Sequence, residues 1–387
     1  MAIDPSNPPT LRERLKRPVF LAYALFLLAL AQQAWSAPEW SWDLLGYMGS
    51  LEEMRGASPA EIHETVFSEL DRVAPEEVAR DLRHAIDYRT QLSTDAEAFH
   101  AQLRFYRGRV VFLGLLAGFE SLGLPPIRAA FLISILSGIA FGLLLALMLM
   151  RLAPASLGVL AAFIAMKVSG APSVMAMATP DMLAAALILG GVLALMEGCR
   201  WWVATLLFLL ALGTRTDHIL LVGPLLLWSA WGSAQAGFRA GRMQLGASLA
   251  LCAAIFLFCT AGRNTYGWWT VFQHTFVEYM AFPELQTPGI DLGFALKRSL
   301  QSLPMFKALE PLLFSLVGLA SIALGWRIDR LRSRWTSLGA LAMFAALAHF
   351  ALFPALWPRL MLPYWILGWV GLVGAWCESR RLAVAGS

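Results

Sequence analysis

The sequence WSWDLLGYM at residues 40–48 follows the first long apolar run of the chain, residues 18–35, and opens a polar segment that reaches to about Arg109. Trp and Tyr side chains are typical of the boundary between a membrane and water, because their rings are apolar and their edges are polar. We therefore expect the chain to leave a membrane at this stretch. The Asp43 carboxylate would then be held close to the lipid boundary.

The composition is that of a membrane protein. Of the 387 residues, 58% are hydrophobic and only 14% are charged, whereas soluble domains carry about 25% charged residues. The mean hydropathy is +0.62, and several runs approach the ~20 apolar residues that cross a bilayer. These values predict an all-α fold, a polytopic α-helical membrane protein. The pI near 9.0 does not indicate nucleic acid, because the basic residues cluster in short loops.

We predict about ten transmembrane helices, with both termini in the cytoplasm. The expected location is the plasma membrane, which in a bacterium is the inner membrane. The spans are residues 18–35, 127–150, 155–172, 181–198, 201–214, 217–232, 245–262, 308–326, 336–353 and 360–377. The apolar segment at 110–122 is too short to span comfortably, and we place it at the interface. The connections that become cytoplasmic then hold most of the loop arginines, which is the positive-inside bias. If 110–122 crossed as well, the early loops would be inverted and that bias lost.

The chain is predicted to be a single transmembrane domain, 1–387, with an extracytoplasmic insertion at 36–126 that includes the interfacial helix. Within the insertion, Ser58-Pro-Ala-Glu61 and Thr94-Asp-Ala-Glu97 read as capping boxes, and Ala74-Pro-Glu-Glu reads as a third helix start with acids in its first turn. Three short helices of this kind form a lid-sized segment rather than an independent domain.

The predicted topology brings the polar candidates to one face of the membrane. The candidate site residues are Asp43, Tyr47, Arg107, Asp181, Arg215, Asp217, Arg263 and Arg359. Each has a simpler explanation. Asp43 and Asp181 stand where an Asp would cap a helix. Arg215 and Asp217 would be explained by pairing with each other, and Arg359 by reaching toward lipid phosphate.

Several site classes have no support in the sequence. There is no HExxH, Walker or GxGxxG motif, so zinc protease, P-loop and Rossmann chemistry are not indicated. None of the four cysteines forms a CxxC pair, and all lie in or beside apolar runs, which favours buried hydrophobes over disulfides or metal ligands.

The order of the short motifs resembles the GT-C class of membrane glycosyltransferases. The motifs are Trp42-Asp43-Leu-Leu-Gly-Tyr47 after the first span, Phe105-Tyr-Arg-Gly-Arg109 before the interfacial helix, Thr-Pro-Asp181 at the head of the fourth span, Arg215-Thr-Asp217 at the next outer edge and Pro-Arg359 near the last span. The resemblance covers most of the chain as architecture. The acid is a lone Asp rather than a pair, and no large soluble domain follows the last span, as in a small variant of the class.

The resemblance implies a polyprenyl-phosphate donor that carries one hexose or pentose, and a lipid, glycan or protein acceptor reached from the outer face. It implies inverting transfer, with Asp43 as general base. Arg215 and Arg359 would bind the leaving phosphate, and Asp181 and Asp217 would position the sugar or acceptor. The other candidates would contribute to substrate binding. No cofactor is required by the sequence, which leaves a divalent cation open.

Two other classes stay open at this point. A transporter or lipid flippase would line a path through the spans with its charged residues, although few lie deep within spans and no inverted repeat is visible. In a non-catalytic assembly subunit, Asp43 would only cap a helix. Convergence of the outer residues on one place beside lipid favours transfer, whereas a path between the spans favours transport.

Overall fold

A computed structural model describes residues 18–197, 201–236, 242–302 and 334–385, together with Ala320 and Ala323. Its α-helices, numbered along the described residues, are α1 (Pro18–Ser36), α2 (Asp43–Met54), α3 (Pro59–Val73), α4 (Glu76–His84), α5 (Asp87–Thr94), α6 (Ala96–Gln102), α7 (Val110–Ser121), α8 (Pro126–Leu152), α9 (Ala155–Val168), α10 (Ala171–Ala176), α11 (Asp181–Met196), α12 (Trp201–Thr214), α13 (Ile219–Ala236), α14 (Arg242–Leu257), α15 (Trp268–Phe276), α16 (Pro283–Gln286), α17 (Leu292–Ser302), α18 (Arg334–Leu352) and α19 (Pro358–Ala385). Within this part of the chain the extended structure is limited to one isolated bridge, Glu39 to Met177, and the all-α prediction is confirmed.

Five described helices are long and apolar enough to cross a membrane: α1, α8, the segment Met243–Gly262, α18, and the segment Pro358–Arg381 of α19. The apolar helices α7, α9, α11 and α12 have 12 to 16 residues. At 1.5 Å per residue they are about 18–24 Å long, shorter than the ~30 Å hydrocarbon core. By length and composition these helices are consistent with a membrane protein, and the count of ten spans stays a prediction. The predicted span at 308–326 lies outside the described residues apart from Ala320 and Ala323.

The predicted single span at 155–172 is wrong, because α9 and α10 are separate helices. Gly170 between them has a φ of +73°, in the left-handed region. A Cβ there would lie 2.7 Å from the Pro358 Cβ. Gly170 and Pro172, at the start of α10, mark the break locally, and the contact with Pro358 of α19 is a second reason for glycine at this position.

The helix α8 is the centre of the bundle and packs against α1, α9, α10, α11 and α19. Glycines allow the close approaches. A Cβ on Gly142 would lie 2.5 Å from Leu27 of α1, and the Tyr23 hydroxyl of the same helix donates to the Gly142 carbonyl at 3.2 Å. A Cβ on Gly371 of α19 would lie 2.7 Å from the Gly339 Cα of α18. Small residues at helix crossings are typical of packing within membranes.

The insertion is helical, as predicted, but one of its boundaries was predicted wrongly. At Ser58 the capping box is present: the hydroxyl accepts from the Glu61 amide, and the Glu61 carboxylate accepts from the Ser58 amide at 2.8 Å. The start near Ala74 is confirmed by α4. Thr94 instead ends α5, a helix that was not predicted. Asp95 caps α6, because its carboxylate accepts hydrogen bonds from the backbone amides of residues 97 and 98.

The insertion packs on one end of the bundle, which we call the insertion end. Its hydrophobic core includes Ile127, Ala130 and Ile133 of α8 and Ala281 of the later loop 263–291. That loop is held to the insertion by the Gln102 side chain, which donates to the carbonyls of residues 280 and 281 at 3.0 and 2.7 Å. The residues around position 43 therefore lie between the bundle and the insertion.

Candidate functional site

Asp43 stands in the first turn of α2, but its side chain does not cap the helix. Ser41 accepts a hydrogen bond from the Asp43 amide at 3.3 Å, and no side-chain cap is formed at the helix start. The carboxylate accepts from the Tyr106 hydroxyl at 3.2 Å and from Arg359 Nη1 at 2.5 Å. Gly46, one turn along α2, makes room for the Tyr106 ring, which occupies the space that a Cβ would need.

The environment keeps Asp43 ionised and Tyr106 protonated. Burial alone would raise the pKa of Asp43, but the charge and hydrogen bond of Arg359, with help from Tyr106, bring it below its ordinary value. Burial raises the pKa of Tyr106 well above its ordinary value, and the nearby Asp43 carboxylate raises it further. At neutral pH the pair is a carboxylate that accepts and a phenol that donates.

A second charged group surrounds Arg215, at the end of α12. Its Nε and Nη2 donate to the two oxygens of Asp217 at 3.0 and 3.1 Å, and its Nη1 donates to Asp181 Oδ1. The simpler explanation, a pair of Arg215 with Asp217 alone, is therefore incomplete. The Arg215 side chain is 11% exposed and that of Asp181 1%. One guanidinium therefore balances both acids, because all three of its nitrogens donate hydrogen bonds to them.

The two charged groups form one cluster, which we call the acid–arginine cluster: Asp43, Asp181, Arg215, Asp217 and Arg359. Arg359 interacts electrostatically with Asp181 and Arg215 as well as with its partner Asp43. Residues from α2, α11, α12 and α19 and from the turn after α12 thus meet at the insertion end. Asp181 Oδ2 is buried and has no hydrogen-bond partner among the described residues, which leaves one acceptor of the cluster free.

Arg109, just before α7, is a further cation beside this cluster. The α7 start meets the end of α12, where a Cβ on Gly213 would lie 2.7 Å from Val111. The Arg109 charge acts on Tyr47, the predicted site tyrosine, which also interacts with Asp43. Its Nε is buried without a partner. Within the described ranges, from 18 to 385 with their gaps, no acid forms an ion pair with it.

Arg107 and Arg263 do not belong to the cluster. The Arg107 guanidinium donates to Glu53 at 2.7 and 2.5 Å. Glu53 lies ten residues along α2 from Asp43, about 15 Å at 1.5 Å per residue. Arg263 Nε contacts the Arg107 backbone carbonyl at 3.4 Å. These two arginines hold the loop after α14 against the insertion, and a substrate role for them stays a prediction.

Four residues that line the cluster are not among the site residues predicted from the sequence. Tyr106 is one of them, and three others lie in predicted spans: His218, His349 and Tyr364. His349 Nε2 lies 3.1 Å from Asp217 Oδ2. Both His218 nitrogens and the Tyr364 hydroxyl are buried without partners, and their rings are 5.9 Å apart. Two histidines within the predicted spans 217–232 and 336–353 were a usable signal, because ionisable residues within spans are costly and usually functional.

His274 of α15 joins the loop 263–291 to the insertion at Tyr88 and Phe105. Its Nδ1 accepts from the Met280 amide at 3.1 Å, and its Nε2 lies 3.4 Å from the Tyr88 hydroxyl. The ring also packs on Phe105 at 4.7 Å. Burial lowers the pKa of His274 to about 4, so the neutral ring is the form that closes this contact.

We expect acidification to loosen this contact. The His274 pKa is about 4 in the fold and about 6.5 in the unfolded chain, so its contribution to stability is present above about pH 6.5 and is lost as the pH falls toward 4. Between about pH 7 and pH 5 the loss is about 2 kcal/mol. Thermal unfolding of purified protein across this range measures it. His274→Asn keeps an acceptor for the Met280 amide, and an unchanged pH slope in this variant would contradict the assignment.

Within the described ranges, no group of three or more His, Cys, Asp or Glu side chains is arranged to hold a metal ion. Comparisons with protein-family models, with curated proteins and with solved structures found no match to this chain.

Proposed function

We propose that this chain is a membrane glycosyltransferase that moves a sugar from a polyprenyl-phosphate donor to an acceptor hydroxyl at the extracytoplasmic face. The observation that carries the proposal is the Asp43 carboxylate, held ionised at the end of an apolar helical bundle by Arg359 and Arg215, with Arg109 close to the neighbouring Tyr47. A lipid-linked phosphosugar presents its tail to such a bundle and its charged head to such a cluster. The positive-inside bias supports the outward orientation of this end.

The proposed reaction is a single displacement. The acceptor oxygen forms a bond to the anomeric carbon as the bond from that carbon to the phosphate oxygen breaks, and the phosphate leaves with the electron pair. The proton of the acceptor hydroxyl passes to Asp43, for which a general base must lie within hydrogen-bond reach. Attack from the side opposite the phosphate inverts the configuration of the sugar.

The Asp43–Arg359 pair links proton transfer to departure of the phosphate. While Asp43 is ionised, its charge balances that of Arg359 at 2.5 Å. When the carboxylate takes the acceptor proton, the guanidinium loses its counter-charge at the moment when negative charge develops on the leaving phosphate. Stabilisation that arises only in the transition state is what accelerates a reaction.

The remaining phosphate contact falls to Arg109 rather than to Arg215. The Nε, Nη1 and Nη2 groups of Arg215 already donate to two acids, so binding phosphate would leave a buried carboxylate unpaired. Arg109 has a free charge next to the cluster and a planar fork that matches phosphate oxygens. The free Asp181 Oδ2 is suited to accept a hydrogen bond from a sugar hydroxyl.

We expect Arg109→Gln to weaken donor binding. A charge-assisted hydrogen bond contributes about 1.5–3 kcal/mol, so the dissociation constant for a polyprenyl monophosphate should rise about tenfold to a hundredfold. Titration of the lipid into purified protein in nanodiscs, followed by native mass spectrometry, measures the change. Arg80→Gln, which removes an exposed arginine of α4 that pairs with Glu76, is the matched control and should bind as wild type does.

Two outcomes of this titration count against the proposal. Equal affinity for the phosphorylated and unphosphorylated prenol would show that the phosphate is not recognised. An Arg109→Gln protein that binds as tightly as the Arg80→Gln control would remove Arg109 from the donor site.

A further inference from the structure

The helix α17 carries an exposed apolar face. Leu292, Leu296 and Leu300 are spaced four residues apart, which places them one above another along one side of the helix. They are 67%, 63% and 57% exposed. Asp291 caps the start of the helix: its carboxylate accepts a hydrogen bond from the amide of Phe294, the third helical residue, at 2.9 Å. Leucines in this arrangement need an apolar environment outside the chain.

The other sides of α17 have different surroundings. Ala295 and Ser299 are buried, and Ala295 belongs to a small apolar cluster with Trp269 and Phe272 of α15. Lys297 and Gln301 are exposed, and at 100° per residue they lie on a side away from both the leucines and the buried face. The helix therefore has a protein side, an apolar side and a polar side.

The position of α17 indicates what meets the leucines. The helix packs against α18, one of the helices long enough to cross a membrane. Trp268 of α15 indicates where the end of α18 lies relative to the membrane surface. Its Nε1 donates to the carbonyl of Leu352, the last residue of α18, at 2.5 Å. Tryptophans are typical of the membrane boundary. On α18, Phe344 and Leu347 are 67% and 61% exposed, as expected of a lipid-facing surface.

We propose that α17 lies in the plane of the membrane at the insertion end, with Leu292, Leu296 and Leu300 among the acyl chains of the adjoining leaflet. The proposal rests on the chain spanning a membrane and not on glycosyl transfer. Lys297 then lies on the water side, near lipid phosphate, as in other interfacial helices. The helix anchors the loop 263–291, whose carbonyls at 280 and 281 hold Gln102 of the insertion.

The test uses full-length protein in nanodiscs of phosphatidylethanolamine and phosphatidylglycerol. Leu296→Cys and Gln301→Cys, in a background with the four native cysteines replaced by Ala, each carry an environment-sensitive fluorophore. We expect the label at 296 to emit at shorter wavelength, to lose most of its emission when the lipids carry acyl-chain nitroxides, and to resist aqueous iodide. The label at 301, the matched control on the polar side, should be quenched by iodide instead.

Two results would overturn the proposal. Iodide quenching at 296 equal to that at 301 would place the leucines in water. Protection from both quenchers would show that protein covers this face, either a second copy or another part of the chain. If the cysteine-free background does not fold, the two variants are labelled with the native cysteines present and the wild-type signal is subtracted. This remains informative because Cys252, Cys259 and Cys377 are buried.

Discussion

Asp43→Asn is expected to lower the rate of sugar transfer by about 10²–10⁴-fold, the usual contribution of a general base, while the protein folds and binds its donor. The amide has the size of the carboxylate and keeps one oxygen for Arg359, which donates to Oδ2, while the bond from Tyr106 to Oδ1 is lost; the amide does not take up the acceptor proton. It also leaves Arg359 without a counter-charge throughout the reaction, which removes the coupling between proton transfer and phosphate departure. Single-turnover release of polyprenyl phosphate measures the loss.

Tyr106→Phe is the matched control for Asp43→Asn. It removes the hydrogen bond at 3.2 Å but keeps the carboxylate, so most of the activity should remain. Because the Tyr106 hydroxyl lowers the pKa of Asp43, its loss should raise that pKa. The acid limb of the pH–rate profile, where the base becomes protonated, then moves to higher pH. Near wild-type turnover by a folded Asp43→Asn protein would remove Asp43 from the mechanism.

Helix positions were predictable where local composition decides them. The predicted spans at 18–35, 127–150 and 336–353 correspond to α1, α8 and α18 with boundaries moved by one or two residues. The division of α9 from α10 was predictable from Gly170 and Pro172, because a left-handed glycine at a helix end and a proline at the next helix start are common boundary signals, and the prediction of one span at 155–172 missed them. The helix cap predicted at Thr94 was wrong for a local reason. The neighbouring Asp95 is the better cap and takes that position.

The members of the site were more predictable than their pairings. A charge bias in the loops was enough to bring Asp43, Asp181, Arg215, Asp217 and Arg359 to one face, and they meet in one cluster. That Arg359 would pair with Asp43, 316 positions away, rather than share a phosphate with Arg215 depends on distances that no sequence pattern contains. Arg109 belongs to the motif Phe105-Tyr-Arg-Gly-Arg109, which the sequence does show. That it has no acid partner depends on the nearby acids being paired with other arginines in the fold.

The assignment of Arg215 to the fold rather than to phosphate makes a large and separate prediction. Arg215→Met should destabilise the protein by about 3–5 kcal/mol, the cost of removing one partner from a buried ion pair. Met keeps the apolar length of the side chain, so the effect comes from the charge. Asp181, 1% exposed, and Asp217 would then lose the cation that pairs with both of them. Arg359, which acts on Asp181 from its pair with Asp43, and His349, 3.1 Å from Asp217, would replace it only in part. Fluorescence-detected size exclusion after heating measures the loss.

The double variant separates charge balance from phosphate binding. Adding Asp217→Asn to Arg215→Met removes one of the two uncompensated acids, and we expect it to restore part of the lost stability, since neighbouring sites in one network are not additive. If Arg215 instead served the donor phosphate, Arg215→Met alone would leave the melting temperature near that of wild type and weaken only lipid binding. Adding Asp217→Asn would then bring no recovery. An unstable single variant that the second substitution rescues assigns Arg215 to the scaffold, and it leaves Arg109 and Arg359 as the cations available to the substrate.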